Sequence, residues 1–206
     1  MRWLVHFPIF EMLNRNKGIR VMHASAVSSQ KETLVFAGLN KVGKSSLARY
    51  FYEKYGYQYI SDNFLLHDEK KVYAFPEKVR LTKKAIEYYG ISDQVASYVY
   101  GKKQLSIPNE RVLRNSNLQK IFFINNGRTI NIESISHTNF KNMINSAHRY
   151  LKEFSEYEYL SFMDLYSEHI GNRQNCDINA SCLFYELTLP LNWDLKKVTQ
   201  NISECL

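Results

Sequence analysis

The chain has 206 residues, with 27 Lys and Arg against 20 Asp and Glu for a net charge of +7. Hydrophobic residues at 45% and charged residues at 23% are ordinary for a globular protein, and they exclude disordered, collagenous and disulfide-scaffold chains. The length suits a single domain over 1–206 with a core that needs no staples, and the positive charge favours anionic partners without choosing among them.

The first ten residues are apolar but broken by His6 and Pro8, with no small-residue cleavage site. Neither a signal peptide nor a membrane span is expected. Residues 8–16 read as a short helix with proline in its first turn and Gly18 as a stop. Residues 19–27 read as one strand and 33–37 as a second, joined by a polar hairpin. A loop at 38–43 leads into a helix over 44–55, stopped by Gly56, and residues 57–61 form the next strand. A hairpin follows around Asp68-Glu69-Lys70, then a helix over 82–89. Residues 91–114 are polar and poorly periodic and are expected to contain a mobile loop. Strands are expected at 118–124 and 129–135, and amphipathic helices at 136–153 and 159–168. A strand at 183–189 and a helix at 194–205 close the chain. Strands and helices alternate with several hairpins, which predicts an α/β protein with a mixed sheet. The motif-bearing core is 19–165. Cys176, Cys182 and Cys205 fit no metal spacing and are odd in number, as expected for reduced thiols in a cytoplasmic protein.

Gly38-Leu39-Asn40-Lys41-Val42-Gly43-Lys44-Ser45 fits the G-x-x-x-x-G-K-[ST] phosphate-loop pattern. An apolar strand runs into it and a helix leaves it, which is the context the chemistry requires. Gly38 and Gly43 permit backbone conformations that turn the N–H groups of Asn40, Lys41, Val42 and Ser46 toward phosphate oxygens. The helix N-terminus adds partial positive charge. Lys44 would neutralise the β- and γ-phosphates, and the Ser45 hydroxyl would ligate Mg²⁺. Asp62 stands at the end of the next strand as a second candidate metal ligand. It follows the loop by only one helix and one turn, closer than a Walker-B aspartate usually lies, which points to a different P-loop class.

The run Met22-His23-Ala24-Ser25-Ala26, the loop 38–45 and Tyr59-Ile60-Ser61-Asp62-Asn63 occur in an order that resembles the catalytic domain of the HPr kinase/phosphorylase family, whose fold is shared with phosphoenolpyruvate carboxykinase. The similarity continues through Ala74-Phe75-Pro76, Val79-Arg80-Leu81, Gly101-Lys102-Lys103 and residues 120–124. The resemblance implies an ATP-dependent, Mg²⁺-requiring phosphotransferase acting on a hydroxyl. The acceptor would be a serine of a small peptide or protein, or a small-molecule alcohol in a biosynthetic pathway. Lys44 would hold the phosphates, Asp62 would be the general base, and His23 would orient or tune Asp62. Lys41 stands where the family usually has Gly, and Asn63 where it has a second Asp. A nucleotide hydrolase and a non-catalytic nucleotide-binding module are the alternatives, and the pairing of Asp62 with His23 favours catalysis. No helix-turn-helix or RNA-recognition signature accompanies the charge, so nucleic acid is not an expected partner. No membrane partner is expected, and a homo-oligomer is left open. The stretch 91–114, with Lys102, Lys103, Arg111 and Arg114, is expected to lie beside the loop and order over it when acceptor binds.

Overall fold

Residues 19–27 mix apolar residues with Arg20, His23 and Ser25, and the chain bends at His23. The structure, a computed structural model, describes residues 2–75, 79–81, 83–89, 95–99, 102–105, 107–150, 178 and 181–205. In it β1 (Arg20–Met22) and β2 (Ala24–Ser28) flank a bend at His23 and enter different sheets. β1 joins β5 (Leu65–His67), β6 (Lys71–Tyr73) and β10 (Asn115–Asn117) in an antiparallel four-stranded sheet ordered β1-β5-β6-β10. β2 joins β3 (Thr33–Gly38), β4 (Gln58–Ser61), β11 (Lys120–Asn126), β12 (Asn131–Ser134) and β13 (Leu183–Leu189). Their order is β12-β13-β11-β3-β2-β4, in six strands. β3, β11 and β13 run parallel, while β2, β4 and β12 pair antiparallel to their neighbours. The expected mixed sheet is therefore present.

The central strand β3 is buried at every position, as a strand covered on both faces must be. Its side chains alternate between two cores. Leu34 and Phe36 face α2 (Lys44–Lys54) and α5 (Leu195–Glu204), with Phe36 stacked 5.9 Å from Phe51 and 5.8 Å from Phe122. Val35 and Ala37 face α4 (His137–Tyr150), against Phe140, Ile144 and Ala147. The apolar stripe of α5, Leu195, Val198 and Ile202, packs into the α2 side, and Asp194 caps its start by accepting from the Lys197 N–H at 2.8 Å. The C-terminal strand and helix are thus built into the middle of the fold, since β13 lies between β11 and β12.

Two further expectations change. The first helix, α1 (Arg2–Lys17), begins well before Pro8 and contains it, so the proline sits inside a helix at the cost of a backbone hydrogen bond. The stretch 91–114 is not a structureless loop. It contributes β8 (Val95–Val99), β9 (Lys102–Leu105) and a 3-10 turn at Asn109–Arg111, and with β7 (Val79–Leu81) these strands make a sheet ordered β7-β9-β8. Pairing with β7 supplies the partner that a local pattern could not reveal. α3 (Lys83–Tyr89) follows expectation. Residues 91–94, 100, 101 and 106 and the helix expected at 159–168 lie outside the described residues.

His67 on β5 carries a pH-dependent share of stability. Burial lowers its pKa from 6.5 to about 4, the Arg20 charge adds to that, and the Asp68 carbonyl opposes it. The ring is neutral in the fold but takes up a proton in the unfolded chain below about pH 6.5. Its contribution is whole above that pH and is lost as pH falls toward about 4. The expected loss is about 3 kcal/mol, from about 1.4 kcal/mol per pH unit. Denaturant midpoints should hold steady above about pH 6.5 and fall below it, and His67→Leu should flatten the slope.

Candidate functional site

Four strand ends and one helix start meet at a single end of the six-stranded sheet. The register Ala24↔Ala37 puts His23 and Gly38 next to each other's strand ends, and Ala26↔Ser61 brings Asp62 to the same end. β11 ends beside Gly38 through the pair Ile124↔Gly38. That contact demands glycine: at φ +132°, a Cβ on Gly38 would lie 2.6 Å from the Ile124 carbonyl oxygen. Gly43, with φ 107°, is the N-cap of α2 and offers it no side-chain cap. The first N–H groups of α2 thus point into the loop, with the helix's partial positive charge behind them.

Lys44 opens the helix and is buried at 6% exposure. Its ammonium donates to the carbonyls of Gly38 at 3.0 Å and Leu39 at 2.6 Å, so the loop is folded around the charge. Asn40 and Lys41 are exposed at the loop tip, and Val42 is buried in the α2 core. Lys41 has a left-handed φ of 66°. A glycine would adopt that conformation without cost, whereas a lysine costs about 1 kcal/mol. Asn63 likewise has φ 71°, and asparagine tolerates that region better than most residues. That conformation gives a physical reason for Asn63 after Asp62.

Asp62 is the convergence point. It is 2% exposed. Its Oδ1 accepts from the Ser45 hydroxyl at 2.7 Å and from the Ser25 hydroxyl at 2.5 Å. Ser45 is on the helix and Ser25 on β2, so the carboxylate ties α2, β2 and the end of β4 together. A hydroxyl that donates its one proton keeps its lone pairs as acceptors. Ser45 thus remains able to offer oxygen to a hard cation while held by Asp62, and an oxygen set of Ser45 and Asp62 fits Mg²⁺. Tyr59, buried on β4, has its pKa raised well above 10.0, chiefly by burial and next by the Asp62 charge. His23 is buried at 3% exposure at this same end. Ser46 follows on the helix, and its carbonyl accepts from the Tyr89 hydroxyl at 2.5 Å.

No family model matches the sequence, and no curated protein matches it. Among solved structures, the fold is similar to the HPr(Ser) kinase/phosphatase from Coxiella burnetii, with a TM-score of 0.40 and 9% sequence identity, over 90% of this chain and 97% of that chain. The functional conclusion rests on the residues themselves.

Of the residues singled out from sequence, the structure joins Lys44 to the Gly38 and Leu39 carbonyls and Ser45 to Asp62, and sets His23 at their end of the sheet. It does not place Arg111 over the loop. Arg111 stacks 3.6 Å from the Tyr52 ring centroid and donates to the Tyr52 carbonyl at 2.8 Å. Tyr52 lies two turns along α2 from Lys44, so Arg111 serves the far half of the helix. The side chains of Lys102 and Lys103 lie outside those described. Among the described residues, no group of three or more His, Cys, Asp or Glu is placed to hold a metal, and no helix is long and apolar enough to cross a membrane.

Sequence reasoning missed Ser25, whose only signal was a polar residue alternating with Ala24 and Ala26 in a buried strand. Its bond to a charged carboxylate has a measurable consequence. Ser25→Ala should lower the unfolding free energy by about 2 kcal/mol, the scale of a lost hydrogen bond to a charge. In an Asp62→Asn background the same change should cost about half as much, because the bond is then between neutral groups. Equal costs in both backgrounds, measured by denaturant unfolding, would place the effect in packing instead.

Proposed function

We propose that this chain is an ATP- and Mg²⁺-dependent phosphotransferase that moves the γ-phosphate to a hydroxyl acceptor. The acceptor class is a serine in a small peptide or protein, or a small-molecule alcohol. The observation that carries this reading is the Ser45–Asp62 hydrogen bond at the start of a helix whose first residue, Lys44, folds back on its own loop. It sets a cation-competent hydroxyl, a buried carboxylate and a buried ammonium around one uncapped helix start.

In this reading the N–H groups of the loop and of the start of α2 receive the phosphates. Lys44 exchanges loop carbonyls for phosphate oxygens, which keeps its charge compensated throughout. Ser45, with Asp62, would hold Mg²⁺, which when bound neutralises charge on the phosphates. Asp62 accepts the proton of the attacking hydroxyl, and its two hydroxyl donors keep the carboxylate oriented while it does so. His23 supports that carboxylate from the start of β2. Positioning and charge neutralisation supply most of the rate in phosphoryl transfer, and each of these groups serves one or the other.

The test is calorimetric titration with Mg·ATP, followed by γ-³²P-ATP incubation with a mixture of seryl peptides and alcohols. Labelled acceptor establishes the transferase. Phosphate release without any acceptor labelled would replace it with a hydrolase, and binding without turnover with a binding module.

A further inference from the structure

The last glycine of the loop is covered by a side chain from the far end of the sequence. A Cβ on Gly43 would lie 2.4 Å from Cζ2 and 3.0 Å from Cη2 of Trp193, so the edge of the indole rests directly on the glycine. Trp193 is held from both sides. It follows β13, which is paired on both sides by β11 and β12, and precedes Asp194, whose cap starts α5. The ring is nonetheless only partly buried.

A second aromatic group stands on the same flank. The Tyr89 hydroxyl is fixed to the Ser46 carbonyl at 2.5 Å. The Tyr88 ring sits edge-on to Tyr89, with centroids 5.5 Å apart, and is 53% exposed. Burial, then the Tyr50 and Asp194 charges, raise the Tyr88 pKa. Ser45 faces Asp62, and Ser46 lies about 100° further round the helix. The Trp193 ring over Gly43 and the Tyr89 hydroxyl on Ser46 thus stand at the same helix start that would receive the phosphates. Exposed aromatic faces at that end are the chemistry that holds a base, because every base offers a π-face to stack.

We propose that Trp193 is the stacking surface for the base of a purine nucleoside triphosphate whose phosphates lie on the loop 38–45. This deepens the phosphotransferase reading and rests on it. Stacking binds the nucleoside and leaves phosphate recognition to the loop, so the two contributions can be separated by a ligand without a base.

The experiment compares Mg·ATP with Mg·tripolyphosphate. Of the two tryptophans, Trp3 is removed by Trp3→Phe, so emission reports Trp193 alone. ATP should quench it strongly and tripolyphosphate only weakly. Trp193→Ala should weaken ATP binding by about tenfold or more while leaving tripolyphosphate affinity within about twofold. Trp193→Phe, which keeps an aromatic face, should restore most of the ATP affinity. An equal loss for both ligands would show that the indole only buttresses Gly43, and no loss for either would show that the base lies elsewhere; each result overturns the stacking surface and leaves the nucleotide site standing. Failure of the Trp3→Phe protein to bind either ligand would overturn the nucleotide reading itself.

Discussion

Lys44→Ala should cut phosphoryl transfer by about 10²–10³-fold, the range for removal of one preorganised charge contact to a developing anion. Mg·ATP affinity should fall with it, because Lys44 is the buried cation at the start of α2. The loss has a structural part as well. The Gly38 and Leu39 carbonyls lose the donor that now ties them, and an unsatisfied buried acceptor costs about 1–3 kcal/mol. Thermal unfolding separates the two, and the functional loss should persist at temperatures where the variant is fully folded. Lys44→Arg should not rescue it, since a rigid planar fork cannot replace a point charge reaching two carbonyls 2.6 and 3.0 Å away. Undiminished binding and turnover in Lys44→Ala would remove the phosphate-loop assignment.

Asp62→Asn should lower transfer by about 10²–10⁴-fold, the contribution of a general base, and leave Mg·ATP affinity within a few fold. The amide keeps the shape of the carboxylate and still accepts from Ser25 or Ser45, so the end of the sheet stays assembled. It also removes a charge that is 2% exposed, so stability should hold or rise. Titrations of ATP at fixed Mg²⁺, and of Mg²⁺ at fixed ATP, read the two roles of the residue separately. A large loss of Mg²⁺-dependent affinity would make Asp62 chiefly a metal ligand, and unchanged transfer would remove it from proton transfer.

Features encoded within one local stretch were legible in the sequence. The strand–loop–helix from β3 to α2 was legible because an apolar run, two glycines and a helical pattern lie within about twenty residues. The hairpin of β5 and β6, the strand Leu183–Leu189 and the Asp194-capped helix were legible for the same reason: turn chemistry, alternation and capping act over a few residues. Such signals also misled where a distant partner overrode them. Strands β8 and β9 lack strong periodicity of their own, and β9 gains its place by pairing with β7 on one side and β8 on the other. The division of 19–27 at His23 is set by pairing of its two halves in different sheets.

The chain of residues around Asp62 shows the same boundary more sharply. The motif nominated Lys44, Ser45 and Asp62, because phosphate chemistry constrains residue types at fixed spacing. Ser25 reaches Asp62 across 37 positions, and Trp193 reaches Gly43 from the turn after the last strand. Nothing in the spacing of either residue marks it. The sequence by itself determined the loop, its lysine and the strand-end carboxylate, since each depends on local backbone geometry. Only the tertiary structure decided what holds that carboxylate and what covers that loop, because strand order and register bring those partners together through contacts no local pattern contains.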